Sequence, residues 1–158
     1  MTEPLHDSPQ GHAEASADAL AASLFSEVFI ADQLARDLIG KALPKGMQIS
    51  HFSVLNLLAH LNVERTPAEL AEAFHVTRGA MTNTLSRLEW AGHIHIRPDW
   101  DDARRKFVSI SPAGRAARDA ALAAILPAMS DVVRDIGAER VRAALPVLRA
   151  LRDRLEPD

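Results

Sequence analysis

The chain has no cysteine and no tyrosine, and aromatic residues make up only 4% of its 158 positions. Without a thiol, disulfides, thiolate metal sites and cysteine-based redox sensing are excluded. G-x-S-x-G, a P-loop, Rossmann glycines and H-E-x-x-H are also missing, so catalysis is not expected. No apolar run approaches the ~20 residues that cross a bilayer. The first residues carry acids and lack a basic segment leading into an apolar one, so no secretory signal is expected and the cytoplasm is the expected compartment. A formal net charge of −3 lacks the basic excess of a protein that coats nucleic acid indiscriminately. Local charge decides specific binding, so DNA remains open as a partner. Seven histidines are present. His93 and His95 share one strand face, but no third ligand completes a set, so neither a metal nor a cofactor is expected.

What is present is apolar and mostly helical in period. Residues 1–16 mix Pro, Gly, His, Ser and acids without periodicity and are expected to form a flexible tail. From Ala17 to Ala42, Leu20, Leu24, Val28, Ala31, Leu34 and Leu38 recur at helical steps, and Phe25, Phe29, Ile30 and Ile39 widen the stripe. One small domain rarely covers so broad an apolar surface, which points to a partner subunit. A second helix is predicted over Ile49–Leu61, with Phe52, Leu55, Leu58 and Leu61 on one face.

Thr66-Pro67-Ala68-Glu69 has the form of a capping box with proline at the first helical position. It opens a short third helix with Leu70, Ala71 and Phe74 inward. His75 and Val76 turn the chain, and Thr77 caps a fourth helix that Gly92 ends. His93–Pro98 and Lys106–Ser111 alternate as paired strands around a charged loop. Ser111-Pro112 starts a long helix to Ile136, and Gly137 separates it from a last helix over Ala138–Leu155. Pro127 and Pro146 fall inside these two helices and are expected to kink them.

The fourth helix has two faces. Met81, Leu85 and Leu88 point inward, which leaves Arg78, Gly79, Thr82, Asn83, Ser86 and Arg87 outward. Arg suits guanine, Asn adenine and Thr the thymine methyl, while Gly79 and the helix cap at Thr77 allow close approach to a phosphate. An ordinary solvated face is the competing explanation. The position of this helix, after a tight turn and before a hairpin, favours duplex DNA. On the hairpin, Arg97, Arg104, Arg105 and Lys106 alternate with Asp99, Asp101 and Asp102. A plain surface loop explains that alternation too. An Asp102 that holds the Arg104 guanidinium extended would suit a narrow minor groove. Residues 62–111 carry seven basic and seven acidic side chains, so the module as a whole is neutral.

The run LAEAFHVTRGAMTNTLSRLEWAGHIHIRPDWDDARRKFVSISPAG resembles the MarR family of regulators, and the likeness extends over Ala17–Leu155. Asp102-Ala103-Arg104, seven residues before Ser111-Pro112-Ala113-Gly114, is similar to the family's wing signature. The resemblance implies a mainly α fold with a small β-hairpin wing, in which a winged helix-turn-helix is joined to a helical dimerisation region from both termini. The corresponding segments are 1–16 (tail), 17–48 (dimerisation helix and linker), 49–111 (DNA-binding module) and 112–158 (dimerisation helices). It further implies a homodimer on a pseudo-palindromic double-stranded operator, reading it with helix 77–91 and wing 97–106, and more often repressing than activating. The expected DNA-binding set is Thr77, Arg78, Gly79, Thr82, Asn83, Ser86, Arg87, Arg97, Asp102, Arg104, Arg105 and Lys106. A small aromatic or anionic effector is also implied, with Arg36, His51, Phe52 and Leu55 as its expected pocket. The alternative is a winged module that senses a ligand or binds a protein without strong DNA affinity. Trp100 at the wing tip departs from the family pattern.

Overall fold

The structure, a computed structural model, describes residues 9–156, and of 9–15 only the helix that contains them. Helix α1 spans Pro9–Ala42, so it begins well before the predicted Ala17. Half of the expected tail is therefore helical, and the other half lies outside the described residues. The chain divides into two compact units, one ending at Leu38 and one beginning at Ile39. In the first, Leu20, Phe29, Ile30 and Leu34 remain exposed, and Phe25 and Phe29 stack at a tilt with ring centroids 6.3 Å apart.

The second unit follows the order α2 (Ile49–Leu61), α3 (Pro67–Ala73), α4 (Arg78–Trp90), β1 (Ile94–Pro98), β2 (Lys106–Ile110), α5 (Pro112–Ile136) and α6 (Ala138–Leu155). The fold is thus mainly helical with one small antiparallel hairpin. Its main core joins Leu55 and Leu58 of α2, Leu70 of α3, Met81, Leu85 and Leu88 of α4, and Ile94 and Val108 of the hairpin. Each of these side chains is at most 2% exposed. Burial at that level removes roughly 1.5–3 kcal/mol of apolar exposure per side chain, so this cluster fixes α4 against the sheet. A second cluster of Leu43, Ala121 and Ile125 ties the α1–α2 connector to α5.

The buried face of α2 differs from the predicted one. His51 and Val54 are buried with Leu55 and Leu58, while Phe52 and Leu61 are only half-buried. The cause is local. His51 Nδ1 accepts the Gln48 N–H at 3.2 Å, so the imidazole folds back to cap its own helix. At α3 the capping box forms in full: Thr66 N–H donates to Glu69 Oε2 at 2.7 Å and Glu69 N–H donates to Thr66 Oγ1 at 3.2 Å. Thr77 Oγ1 caps α4 by accepting the Ala80 N–H at 3.1 Å. The turn between these helices places His75 at φ 51°, a left-handed conformation that a non-glycine residue adopts at a cost.

Helices α5 and α6 continue through Pro127 and Pro146. Gly137, at φ 96°, separates them. No residue of α6 is buried, and its Leu145, Leu148 and Leu155 are exposed. On α5, Leu126, Met129, Val132, Val133 and Ile136 are likewise uncovered. Among the described residues, no helix is long and apolar enough to cross a membrane.

Candidate nucleic-acid interface

The hairpin pairs Ile94 with Ile110, Ile96 with Val108 and Arg97 with Phe107. A third backbone segment extends it: Arg65 N–H donates to Val108 O at 3.0 Å and Val108 N–H to Arg65 O at 2.7 Å. The neighbouring Glu64 reaches the wing directly. Both its carboxylate oxygens accept from the Arg97 guanidinium, one through Nε at 2.9 Å and the other through Nη2. That bidentate pair holds the Glu64 carboxyl below its usual range, and the Arg97 guanidinium also lies 4.9 Å from the Phe107 ring centre. Arg97, expected in the DNA-binding set, is therefore engaged within the protein. It anchors the wing base to the α2–α3 connector.

The wing tip is built from aspartates acting on the main chain. Asp99 N–H donates to Arg105 O at 2.8 Å and Arg105 N–H to Asp102 O at 2.9 Å. Asp101 N–H donates to Asp99 Oδ1, and Arg104 N–H to Asp102 Oδ1 at 3.0 Å. Asp102 was expected to brace the Arg104 guanidinium. It braces the Arg104 backbone instead, because a carboxylate two residues upstream reaches an amide more readily than the end of a long side chain. The Arg104 side chain is left exposed and has no ion-pair partner among the described residues.

On α4, Arg78, Gly79, Thr82, Asn83, Ser86 and Arg87 are all exposed, as is the cap Thr77, opposite the buried Met81, Leu85 and Leu88. The Thr82 hydroxyl donates to Arg78 O at 2.8 Å, which fixes its rotamer and leaves its methyl free to make contacts. Arg78 and Thr82 meet Arg104, Arg105 and Lys106 around one open cleft of about 410 Å³, closed on its third side by Thr66, Pro67 and Ala68. Its lining contains four cations and no carboxylate. A second cleft of about 360 Å³ separates the other flank of α4, at Ser86 and Glu89, from Ile96 and Pro98 of the wing.

The junction of α4, β1 and α5 fixes the angle between helix and hairpin. Ser111 Oγ donates to Gly92 O at 2.6 Å and accepts Gly114 N–H at 2.9 Å. Ser111 N–H donates to His93 O at 3.0 Å. The Ser111 cap of α5 was expected, whereas its contacts with Gly92 and His93, and Glu64, were not anticipated. Glu64 lies 33 residues from Arg97, too far for any local spacing to reveal the pair.

Two of the expected effector residues are taken up by packing. Leu55 is fully buried in the main core, and Phe52 packs with the second cluster. Arg36 belongs to the first unit, where its guanidinium is held by Asp32 at 2.9 Å. His51 borders an open cleft of about 720 Å³ lined also by Lys45, Met47, Arg87, Trp90, His93 and Ala117. Burial, with the Arg87 and His93 charges, lowers the His51 pKa, and its Nε2 has no hydrogen-bond partner. With Nδ1 accepting from Gln48, the neutral ring carries its proton on Nε2, which is buried within the protein.

A capped helix pair and a following hairpin, joined to the preceding connector by one bridge at Arg65–Val108, define a winged helix-turn-helix. The MarR-family sequence model matches residues 45–105 of this chain. Solved structures agree on the fold. A mutant MarR from E. coli, complexed with operator DNA, superposes with a TM-score of 0.71 at 22% identity, covering 82% of this chain and 93% of that one. BldR from Sulfolobus solfataricus gives 0.70 at 21%, over 89% and 98%. A MarR-family regulator from Rhodococcus sp. RHA1 gives 0.74 at 20%, over 84% and 94%. No curated protein matches the sequence.

Proposed function

We propose that the chain is a sequence-specific DNA-binding transcriptional regulator, a cytoplasmic, ligand-responsive repressor that grips a pseudo-palindromic operator as a homodimer. The observation that carries this is the cleft where Arg78 and Thr82 of α4 meet Arg104, Arg105 and Lys106 of the wing, with no carboxylate in its lining. Such a seat suits a phosphate strand, with bases read on either side of it. In this reading Arg78, Thr82, Asn83, Ser86 and Arg87 face base edges in the major groove, and Thr77 and Gly79 let the start of α4 approach the backbone. Arg104 enters the minor groove, with Asp102 setting its backbone. The operator DNA bound by the E. coli relative supports the same assignment.

The uncovered apolar rows of α5 and α6, with the exposed stripe of α1, support a dimer. Two copies of α4 would then enter successive major grooves roughly 34 Å apart. For the effector, the cleft beside His51 replaces the expected pocket. The Lys45 and Arg87 cations suit a small anion, and Trp90 a flat ring.

A salt titration of binding to a duplex from the promoter of its own gene tests the assignment. Saturable binding that weakens with salt at a slope of several ions is expected. Absent or salt-independent binding at low salt overturns it. That result would favour a winged ligand-sensing or protein-binding module, a reading that the seven-against-seven charge balance of residues 62–111 supports.

A further inference from the structure

Trp100 stands at the wing tip with 90% of its surface exposed. An indole held in water forgoes a large apolar gain, and nothing among the described residues covers it. The turn beneath it is not loose, since four hydrogen bonds from Asp99, Asp101, Arg104 and Arg105 pin the tip. Two of the flanking acids, Asp99 and Asp102, turn a carboxylate oxygen onto main-chain amides. Arg104, Arg105 and Lys106 follow on the same tip and are exposed, and they line the cation-rich cleft that the wing shares with α4. The ring is thus presented by a rigid turn, next to cations, and continuous with the proposed DNA interface. Trp90, equally exposed, borders the cleft beside His51 and belongs to that site.

We infer that Trp100 is a minor-groove contact that gives the wing a preference for A·T pairs, an inference that rests on the DNA-binding reading. The indole packs against the deoxyribose walls as an apolar wedge. Its Nε1–H is a donor with no acceptor function. The floor of the minor groove offers only acceptors at A·T pairs, whereas G·C adds the guanine amino donor. A lone donor therefore favours A·T, and Arg104 beside it gains from the same narrow, electronegative groove. The cations bring the wing to the groove, and Trp100 supplies an uncharged, shape- and base-dependent component.

The test uses the full chain, its Trp100→Ala and Trp100→Phe variants, and a duplex spanning the promoter of its own gene. Affinity is read by anisotropy of a labelled duplex, and tryptophan emission is read with unlabelled DNA. Trp100→Ala is expected to weaken binding about tenfold with an unchanged salt slope, because no charge is lost. Trp100→Phe is expected to recover most of the affinity but to discriminate less when A·T pairs under the wings are replaced by G·C. Since Trp90 is common to both, the native chain minus Trp100→Phe isolates the Trp100 emission, which should shift on saturation with DNA. Saturable binding with no such difference, or a Trp100→Ala affinity within twofold of native, overturns the inference and leaves the regulator reading standing. A native chain that binds no DNA at low salt defeats both. An emission shift with anionic phosphatidylglycerol vesicles but not with DNA would assign Trp100 to a lipid surface and also overturn it.

Discussion

Gly114 lies against the carbonyl of His93 so closely that a β-carbon at residue 114 would stand 1.9 Å from that oxygen. The obstacle is backbone already accepting the Ser111 N–H, so it has little freedom to move. Gly114→Ala is therefore expected to destabilise the fold by about 1–3 kcal/mol, although alanine is the better helix former elsewhere. Chemical denaturation measures this, and unchanged stability would contradict the packing. Because His93 lies between α4 and β1, the surviving folded protein should also bind DNA less tightly.

The Glu64–Arg97 pair sets the wing rather than the stability. Both side chains are more than a third exposed, so solvent screening keeps the pair's contribution to stability small. Glu64→Gln should leave the melting temperature within a few degrees of native. Hydrogen exchange of amides 99–106 should quicken, because the wing loses its charged anchor. Unaltered exchange there would show that the Arg65–Val108 pairing alone holds the wing.

Arg104→Ala removes an exposed side chain without disturbing the Asp102 bond to its backbone amide. DNA affinity should fall at least several-fold, with a salt slope reduced by about one ion. Light scattering should give the same oligomeric state as native. Equal affinity would remove Arg104 from the proposed interface.

The apolar row of α6 invites a test of the dimer. Leu148 is 47% exposed in the protomer, so Leu148→Glu should not harm its fold. If this row is the interface, the charge would be buried without a partner, and the variant should sediment as a folded monomer. A dimer of native strength would place the interface elsewhere.

His51 makes stability depend on pH. Its imidazole sits below the ordinary value of 6.5, chiefly through burial and then through the Arg87 and His93 charges. The unfolded chain therefore takes up a proton at this residue before the folded chain does. The contribution is complete above about pH 6.5 and is lost as pH falls through that value toward the depressed folded pKa. Thermal melts at about pH 7.5 and pH 5.5 should show a larger loss for the native chain than for His51→Asn, whose amide oxygen can keep the Gln48 cap without titrating. Equal losses would mean that His51 is not the group responsible.

Sequence alone determined whatever rests on neighbours along the chain. The Thr66–Glu69 box, the Thr77 cap and the buried Met81, Leu85 and Leu88 follow from spacing of four residues or fewer, because capping and amphipathic burial are local. The exposed polar face of α4 and the charged wing follow for the same reason. Tertiary structure decided what depends on distant segments or on where side-chain ends point. Leu55 and Phe52 look alike by period, yet one is core and the other borders a second cluster, because helix rotation is set by the packing partner. Arg97 and Arg104 read alike as wing cations, but only the former meets Glu64, which a strand pairing brings across from the α2–α3 connector. Period and charge identify the kinds of group at a surface. Which of those groups remain free for a partner is fixed only when the fold has spent the others on itself.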